Sequence, residues 1–441
     1  MKSKTDQERL MAINLHFKAI SYTRFEKIPS INQLDRLFTV MRAVCIILFS
    51  LTVFCAKAQK ITLSTRVQDN VTTEPLPFAS VGIKGKSIST VTNLQGEFDF
   101  HIPVEYRNEI LVISMLGYEN FEAPIWSLLE SKPQSINMAK STTVLEEVVV
   151  TDSLSGGEIL KIALARVESN FPMEPFLMDG FYRDVKKVGG TSISLLEAAV
   201  KIYDENYIEP RNKSKLRERV KLVEVRKSLG YDNKFTPFFR QQNLLEDLLL
   251  HNNIRYRQID DHESFYASLK REPDSYYNSK EVFVVSHKED FLFKIYINKN
   301  DYAINHLEFK VSGENLERKK NLVSKHVAYH KTIDFKPFNG KMFLNYITVT
   351  TNEKWYDEAT SQLKFETELQ QSLLINEVKA KTEERINSTD KMRNYGLQFQ
   401  DYPYNKAFWE GYNVIKETPV DKKIRDDLER LAPLEQQFEN N

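Results

Sequence analysis

The histidines and carboxylates of this chain are not spaced as in known metal-dependent hydrolases. Zinc carboxypeptidases bind their metal through His-x-x-Glu and a distant histidine, and none of the eight histidines has glutamate three residues later. The motif His-Glu-x-x-His is absent as well. His326 and His330 are four residues apart in an alternating, strand-like segment, where a rise of roughly 3.3 Å per residue keeps them too far apart for one ion. Only a helix would bring them together, so we predict no metal site.

Nucleophile and phosphate-binding motifs are also absent. The chain has no Gly-x-Ser-x-Gly elbow, no Walker loop and no dinucleotide fingerprint. Cys45 and Cys55 are its two cysteines, so residues after 59 contain no thiol nucleophile. The carboxylates of Glu197, Asp204 and Glu205 would form a glycosidase pair only if folding placed them across a cleft. We predict no catalytic residue and no cofactor; a hydrolase whose site assembles only in the folded chain is the alternative.

Residues 41–58 have the layout of a secretory signal peptide. Arg42 is a charged start, residues 43–56 form an apolar run, and Ala56-Lys57-Ala58 is a small-x-small end. The apolar run is shorter than the about 20 residues that cross a bilayer. We therefore expect an exported protein of the periplasm or outer membrane, with a retained anchor as the alternative. Residues 1–40 show no clear period, and we interpret them as an over-extended start or n-region.

The charge balance argues against nucleic acid as a partner. Lys and Arg number 61, as do Asp and Glu, so the chain has no global basic field. The stretch 211–227 is locally basic. One interpretation is a surface that binds anionic lipid heads or an acidic glycan. The other is a solvated hairpin whose other face carries Leu216 and Val220. The 27 phenylalanines and 20 tyrosines suit antiparallel sheets and binding surfaces.

Short strands separated by turn residues predict a small β-sandwich over residues 59–138. Ile61–Val67 and Phe98–Ile102 alternate apolar and polar side chains. Asn93–Gly96 has the composition of a four-residue turn in which the glycine takes a positive φ. Strands at this spacing are typical of sandwiches.

Three motifs within this region resemble the carboxypeptidase-regulatory-like domain. They are Pro75–Val81, Thr92–Phe98 and Ile113–Tyr118, in that order. The resemblance implies a transthyretin-like, seven-strand sandwich, a module common at the N-termini of secreted and outer-membrane proteins of Bacteroidetes. It implies an accessory module, and it does not imply peptidase activity.

Residues 139–154 form a linker with a β-prone centre. Leu145–Thr151 resembles the segment that follows this module in starch-utilisation-type TonB-dependent receptors, where it pairs as a strand with the TonB protein. The resemblance implies that the strand-pairing residues are Val144, Leu145, Val148, Val149 and Val150. A closing strand of the local sheet, or an inherited linker, is the alternative. A receptor barrel does not fit in the remaining length at roughly 10 residues per strand plus loops, so we do not expect a transporter.

Residues 155–441 are predicted to form an antiparallel sheet with helices at both ends. Helices are expected at Ser155–Asn170, Phe235–Leu250 and Asp421–Leu431. The expected strands are Phe176–Val188, Thr191–Ile202, Tyr276–Ser286, Phe291–Asn298, Tyr302–Val311, Leu322–Ile333 and Lys341–Glu353. Short turns such as Gly189-Gly190 join them into a meander. The predicted fold class is mainly β with flanking helices: a seven-strand β-sandwich followed by a half-barrel-like α+β domain.

The order helix, long meander, helix resembles the half-barrels that carry lipoproteins or lipids across the bacterial periplasm. Phe293–Asn298 and Tyr302–Ile304 carry this resemblance. Asn170–Pro172 together with Gly180–Arg183 resembles uncharacterised Bacteroidetes proteins that pair the same two parts, which implies a family but no activity.

These observations predict a non-enzymatic envelope protein with a carrier, binding or adaptor role. An apolar concavity would take a lipid, lipoprotein or peptide, and a glycan is a further possible ligand. Phe181, Tyr182 and Arg183 are the predicted binding residues, because they lie early in a long strand. The alternatives are a TonB-linked uptake accessory protein that binds through residues 144–151 and the hydrolase named above.

Overall fold

Seven strands at the N-terminus form two small sheets. The computed structural model describes residues 60–141, 154–232, 234–239, 244–289, 291–313, 317–392, 396–400, 402–416 and 419–440. The proposed signal peptide, residues 1–40 and the strand-pairing residues 144–150 lie outside this part of the chain. Residues 60–441 belong to one compact unit. No helix among the described residues combines the length and apolar character needed to span a membrane.

The N-terminal sheets confirm the predicted seven-strand sandwich. Their strands are β1 (Lys60–Asp69), β2 (Ser80–Ile83), β3 (Ser89–Val91), β4 (Glu97–Pro103), β5 (Ile110–Ser114), β6 (Phe121–Pro124) and β7 (Ser135–Met138). One sheet has the order β4-β1-β7 and the other β3-β2-β5-β6, and helix α1 (Ile125–Ser131) follows β6. Alternation along β4 buries Phe98, Phe100 and Ile102 between the sheets.

The predicted turn at Asn93–Gly96 is present and joins β3 to β4. The Asn93 Oδ1 atom accepts the backbone N–H groups of Gln95 and Glu97 at 2.9 and 2.8 Å. Gly96 has a φ of +70°, as the turn composition predicts. A Cβ at this position would lie 2.2 Å from the Val67 carbonyl oxygen, so the turn needs glycine for space as well as for its φ.

Gly96→Ala is expected to lower the free energy of unfolding by about 2–4 kcal/mol, because it adds a backbone clash to left-handed strain. Gly340→Ala is the matched control: Gly340 has a φ of +74°, and an added Cβ would meet no heavy atom within 4 Å. This control variant adds only the strain of alanine at a positive φ, so its free energy of unfolding should fall by about 1 kcal/mol. Urea denaturation measures both, and equal losses would contradict the steric argument.

A third sheet, of eleven strands, is formed by the described residues from 176 to 380. Its strands are β8 (Phe176–Val188), β9 (Thr191–Asp204), β10 (Arg219–Lys227), β11 (Lys270–Tyr277), β12 (Lys280–His287), β13 (Leu292–Asn298), β14 (Ile304–Gly313), β15 (Glu317–Lys319), β16 (Leu322–Phe338), β17 (Lys341–Asp357) and β18 (Leu363–Ala380). The order is β10-β9-β8-β18-β17-β16-β14-β13-β12-β11, and β15 pairs with β16. The meander and the open, half-barrel-like sheet are as predicted. The non-local pairing of β18 with β8 joins the two halves.

Several element boundaries differ from the predictions. Tyr276–Ser286 is not one strand: Asn278 and Ser279 take positive φ values of 50° and 58° and form a turn between β11 and β12. Within the helix expected at 235–250, the described residues form a 3₁₀ turn containing Pro237 and an α-helix at Leu244–Leu250. The strand β18 was not predicted, because the polar residues Thr367, Gln371 and Asn376 occupy buried positions, so apolar and polar side chains do not alternate along it.

Helices cover one face of the large sheet, which we call the inner face. They are α2 (Gly156–Ala165), α3 (Val167–Asn170), α4 (Leu244–Leu250) and α5 (Glu263–Ser268). The start of α2 is fixed by a capping box between Ser155 and Glu158. Leu160, Leu248 and Phe265 pack from these helices against strand residues such as Ile295 and Leu373 in the main core. The inner face is therefore an enclosed, largely apolar layer.

The sandwich and the C-terminal segment cover the other face, which we call the outer face. The C-terminal helices are α6 (Lys406–Glu410), α7 (Pro419–Leu428) and α8 (Leu434–Glu439). Val91 of β3 packs in one buried cluster with Phe181, Tyr346 and Trp409. The His101 N–H donates to Asn413 Oδ1 at 2.8 Å, which ties β4 to the C-terminal segment. The sandwich is thus packed onto the large sheet over an apolar contact.

Candidate functional site

A cavity of about 250 Å³ lies on the inner face between α5, the loop 253–260 and strands β13, β14 and β16. Its apolar walls are Ile259, Phe265, Phe291, Phe293, Leu307 and Phe309. Alternation along β13 and β14 turns Phe293 and Phe309 inward as a cross-strand pair. The ring of Phe265 meets Phe293 edge-on at 5.5 Å, so α5 closes the cavity over the sheet. Such a cavity suits an apolar ligand.

Lys331 is the cation in this wall. It lies on β16 between two apolar cross-strand neighbours, Phe309 and Val349, and only 5% of it is exposed. Its ammonium group donates to Asn253 Oδ1 and lies 5.5 Å from the centre of the Phe309 ring. No carboxylate of the described residues forms an ion pair with it. Burial lowers the pKa of Lys331 to about 8, because the charged form loses its hydration.

The loop on the other side of the cavity holds the hydrogen-bond partner of Lys331. The Asn253 Nδ2 group donates to the Gln258 carbonyl oxygen at 2.5 Å, and the Gln258 N–H donates back to the Asn253 carbonyl oxygen at 2.9 Å. This pair directs Asn253 Oδ1 toward the lysine. Asp260 also lines the cavity but is exposed, so its carboxylate is hydrated at the cavity mouth.

Lys331→Met is expected to stabilise the free protein by about 1–3 kcal/mol at pH 7, since it removes a buried, uncompensated cation and keeps the aliphatic stem. The native pKa of about 8 lies below the unfolded value of 10.5, so the unfolded state binds more protons between these pH values. The wild-type protein should therefore recover stability relative to the variant as the pH rises from 8 to 10.5.

Urea denaturation at pH 7, 8.5 and 10 measures this difference. The matched control is Lys310→Met, which removes an exposed lysine of β14 and should change the free energy of unfolding by less than about 0.5 kcal/mol at every pH. A destabilised Lys331→Met protein at pH 7 would contradict the interpretation of Lys331 as an uncompensated cation.

A second, more polar cavity adjoins the first along β16. Tyr329 and Lys331 are two residues apart on the same face of the strand. The Tyr329 hydroxyl lies 2.7 Å from His251 Nδ1 and 2.9 Å from His251 Nε2, and that Nε2 atom lies 3.8 Å from Asp247 Oδ2. Gln371 and Glu353 also line this cavity. The hydroxyl contacts both ring nitrogens and the carboxylate lies beyond hydrogen-bond distance of the ring, so these three side chains do not have the geometry of a proton relay.

The three carboxylates considered from the sequence lie apart. Glu197 is buried on the outer face, where it accepts from Arg183 Nε at 2.7 Å and Arg226 Nε at 2.6 Å. Asp204 faces the inner side and binds Arg255, whereas Glu205 is exposed. They therefore do not form the two sides of one cleft, as a glycosidase pair requires.

A further buried carboxylate was not singled out from the sequence. Glu218 accepts a hydrogen bond from the Tyr256 hydroxyl, and Arg255 lies between Tyr256 and Tyr207 in the same cluster. Burial, and then the charge of Asp204, raise the pKa of Glu218. The cluster links the segment before β10 to the end of β9, which is a structural role.

The predicted binding residues of β8 lie on both faces of the sheet. Phe181 faces outward and meets the Trp409 ring at 6.4 Å, and Arg183 faces outward to Glu197. Tyr182 faces inward, where its hydroxyl donates to Asp184 Oδ2 at 3.3 Å. None of the three lines the apolar cavity. Ligand binding by these residues stays a prediction.

Lys331 was missed in the sequence, although a signal is present there. Positions 329, 331 and 333 share one face of the predicted strand and hold Tyr, Lys and Ile. A lysine in an otherwise apolar inward row is unusual, because burying an ammonium group costs free energy. The anomaly marks a polar contact inside the sheet.

One group of metal-ligating types is close together in the described part of the chain. Asp260, Asp261 and His262 bring ligand atoms within 4.8 Å of one another, but all three are exposed consecutive residues. Exposed acidic groups of this kind are common without an ion, and we assign no metal there. The segment that holds His326 and His330 is strand β16, as predicted, and His330 pairs with Glu308 at 3.2 Å.

Comparisons with solved structures give only remote likenesses. A lipovitellin structure concerned with lipid–protein interactions matches 53% of this chain and 28% of its own, with a TM-score of 0.23 and 10% identity. The complex of MucA and MucB from Pseudomonas aeruginosa matches 52% of this chain and 99% of the MucA/MucB chain, with a TM-score of 0.17 and 8% identity. Likenesses at this level carry no assignment for the large sheet.

Sequence comparisons are specific for the N-terminal region. Residues 63–150 match the family model of the CarboxypepD_reg-like domain. The TonB-dependent receptor SusC of Bacteroides thetaiotaomicron is 33% identical over 95 residues, which cover 22% of this chain and 9% of the receptor. The chain thus matches only a small part of that receptor's length. The sandwich therefore matches the CarboxypepD_reg-like domain and is similar to a region of a TonB-dependent receptor, which suggests an envelope-associated protein.

Proposed function

We propose that this chain is an exported, non-enzymatic binding protein of the bacterial envelope that holds an apolar ligand in the inner-face cavity. The phenylalanine-lined cavity itself carries the proposal. Transfer of an apolar ligand from water into such walls is favourable in proportion to the area buried, at about 25 cal/mol per Å². A lipid, the acyl chain of a lipoprotein, or an apolar peptide side chain fits this chemistry.

The sandwich has an adaptor role in this proposal. The match of this module to a TonB-dependent receptor supports a place in the envelope, at the periplasmic or outer-membrane side. The proposed organisation is a signal peptide at 41–58, the module at 59–138, a linker at 139–154 and a binding domain at 155–441. The module's contact with the outer face leaves the inner-face cavity to the ligand.

Native mass spectrometry of the protein purified from its own envelope tests the proposal. We expect a co-purifying apolar ligand in the wild-type protein and its loss in Leu307→Trp, where the larger ring occupies the cavity. Leu94→Trp, at an exposed position, is the control and should keep the ligand. Circular dichroism shows whether each variant is folded. A wild-type protein without ligand, or a folded Leu307→Trp protein that retains it, would overturn the proposal.

A TonB-linked role is the second function we propose to test. The identity with SusC over the N-terminal region favours it, and the β-prone residues 144–151 follow the sandwich directly. We expect an immobilised TonB protein to retain the wild-type chain and to lose a Val148→Pro variant, because proline removes a ladder hydrogen bond. Leu94→Pro, at the second position of the exposed turn 93–96, where proline is favoured, serves as the control. Equal retention of all three proteins would exclude strand pairing through this segment.

A further inference from the structure

The inner-face cavity combines an apolar interior with one buried cation. Burying an ammonium group is costly unless it is paired, and the hydrogen bond to Asn253 supplies an acceptor but no negative charge. Only one of the three N–H donors of Lys331 is used in this contact. The remaining donors face a region whose nearest rings are those of Phe309 and Tyr329, at 5.5 and 5.8 Å. The free protein therefore lacks a counter-charge at this point.

Resting on the proposed function, we infer that the ligand is a single-chain amphiphile with a carboxylate head, such as a fatty acid. The head would pair with the Lys331 ammonium group, and the chain would lie among Phe265, Phe293 and Phe309. A carboxylate supplies one negative charge to one buried cation, and a charge-assisted hydrogen bond is stronger in this surrounding than in water. The pair would compensate the buried charge of Lys331 within the apolar interior.

The other charged group of the cavity sets the limit on head-group charge. Asp260 lines the mouth, and its carboxylate would repel a second negative charge on the ligand. A phosphate dianion would therefore carry one charge more than Lys331 can compensate. The cavity volume of about 250 Å³ also lies below the usual range of about 300–1,000 Å³ for small-molecule pockets, which favours one chain over two.

Binding of such a ligand depends on pH through Lys331. The groups that face its ammonium are Asn253, Tyr329 and Phe309, and Asp260 is the carboxylate of the same cavity. The free lysine loses its proton near pH 8, and the neutral amine cannot form the ion pair. The affinity for a carboxylate should fall above that pH, approaching tenfold per unit, whereas the affinity for a neutral ligand of equal chain length should not change.

Calorimetric titration of the purified chain with dodecanoate and dodecanol, below their aggregation concentrations, tests the inference. At pH 7 we expect the wild-type protein to bind dodecanoate at least tenfold more tightly than dodecanol. Lys331→Met should reverse or abolish this preference by weakening dodecanoate at least tenfold without weakening dodecanol. Lys310→Met, at the exposed lysine of β14, should leave both affinities unchanged.

The results of these titrations separate the carboxylate inference from the proposed function. Equal wild-type affinities for the acid and the alcohol, or a folded Lys331→Met protein that still prefers the acid, would overturn the carboxylate inference and leave an apolar cavity in place. Failure of both compounds to bind would instead overturn the proposed function. The stability of Lys331→Met, measured as described above, shows whether that variant is folded.

Discussion

Arg255→Met is expected to lower the free energy of unfolding by about 3–5 kcal/mol, because it leaves the buried carboxylate of Asp204 without its partner. The guanidinium of Arg255 is 1% exposed and binds Asp204 through two hydrogen bonds, of 2.6 and 3.1 Å. It also donates to the Ile208 carbonyl oxygen at 3.0 Å. One side chain therefore connects the loop before α5, the end of β9 and the segment that leads to β10.

The matched control is Arg318→Met, which removes an arginine–carboxylate pair at the surface. Arg318 contacts Glu358 at 2.9 Å, but 69% of its side chain is exposed. Its loss should cost no more than about 1 kcal/mol, because water screens such pairs. Adding Asp204→Asn to Arg255→Met should restore part of the lost stability, since the amide carries no charge. Urea denaturation followed by far-UV circular dichroism measures all three proteins, and similar losses for Arg255→Met and Arg318→Met would contradict the argument.

Val91→Asp is expected to lower the free energy of unfolding by more than about 3 kcal/mol and to separate the sandwich from the large sheet. Val91 is buried at the contact between β3 and the outer face, where its neighbours are Phe181, Leu374 and Trp409. A carboxylate there would lie among apolar side chains, which favours its protonation or its exposure to water. Opening the contact is the way in which the protein would hydrate it.

Differential scanning calorimetry measures this effect. We expect one cooperative transition in the wild-type protein, because residues 60–441 form one compact unit, and two transitions in Val91→Asp. Val71→Asp is the control: Val71 is 86% exposed in a turn of the same module, so its change should stay within about 0.5 kcal/mol. A Val91→Asp protein that melts in one transition at the wild-type temperature would show that the contact contributes little.

Removal of the sandwich is expected to have a related consequence. The module covers apolar residues of the outer face such as Tyr346, whose ring stacks on Phe78 at 5.6 Å and which a truncated chain would expose to water. The boundary proposed between the module and the binding domain therefore separates the small sheets from the large sheet. It does not imply that residues 155–441 are stable without the module. The Val91→Asp experiment addresses this point with the full chain.

Local patterns were enough to predict the sandwich and most of the long strands. The positive φ of Gly96 follows from the turn composition, and the alternation in Phe98–Ile102 predicts the buried face of β4. Strand β8 begins and ends at the predicted residues, Phe176 and Val188. These features depend on residues that are close in the sequence, where side-chain periodicity and turn preferences act directly.

The ligand-binding hypothesis acquired its residues only from the tertiary structure. Phe265, Phe293, Leu307 and Lys331 come from four separate elements, and no spacing in the sequence predicts that they share a cavity. The pairing of β18 with β8 brings together segments almost 200 residues apart, such as Leu374 with Phe181. Sequence alone determined the module, its turn and the absence of known catalytic motifs. The fold decided which face each strand buries and placed one lysine among aromatic rings, because burial and cavity shape depend on contacts between distant segments.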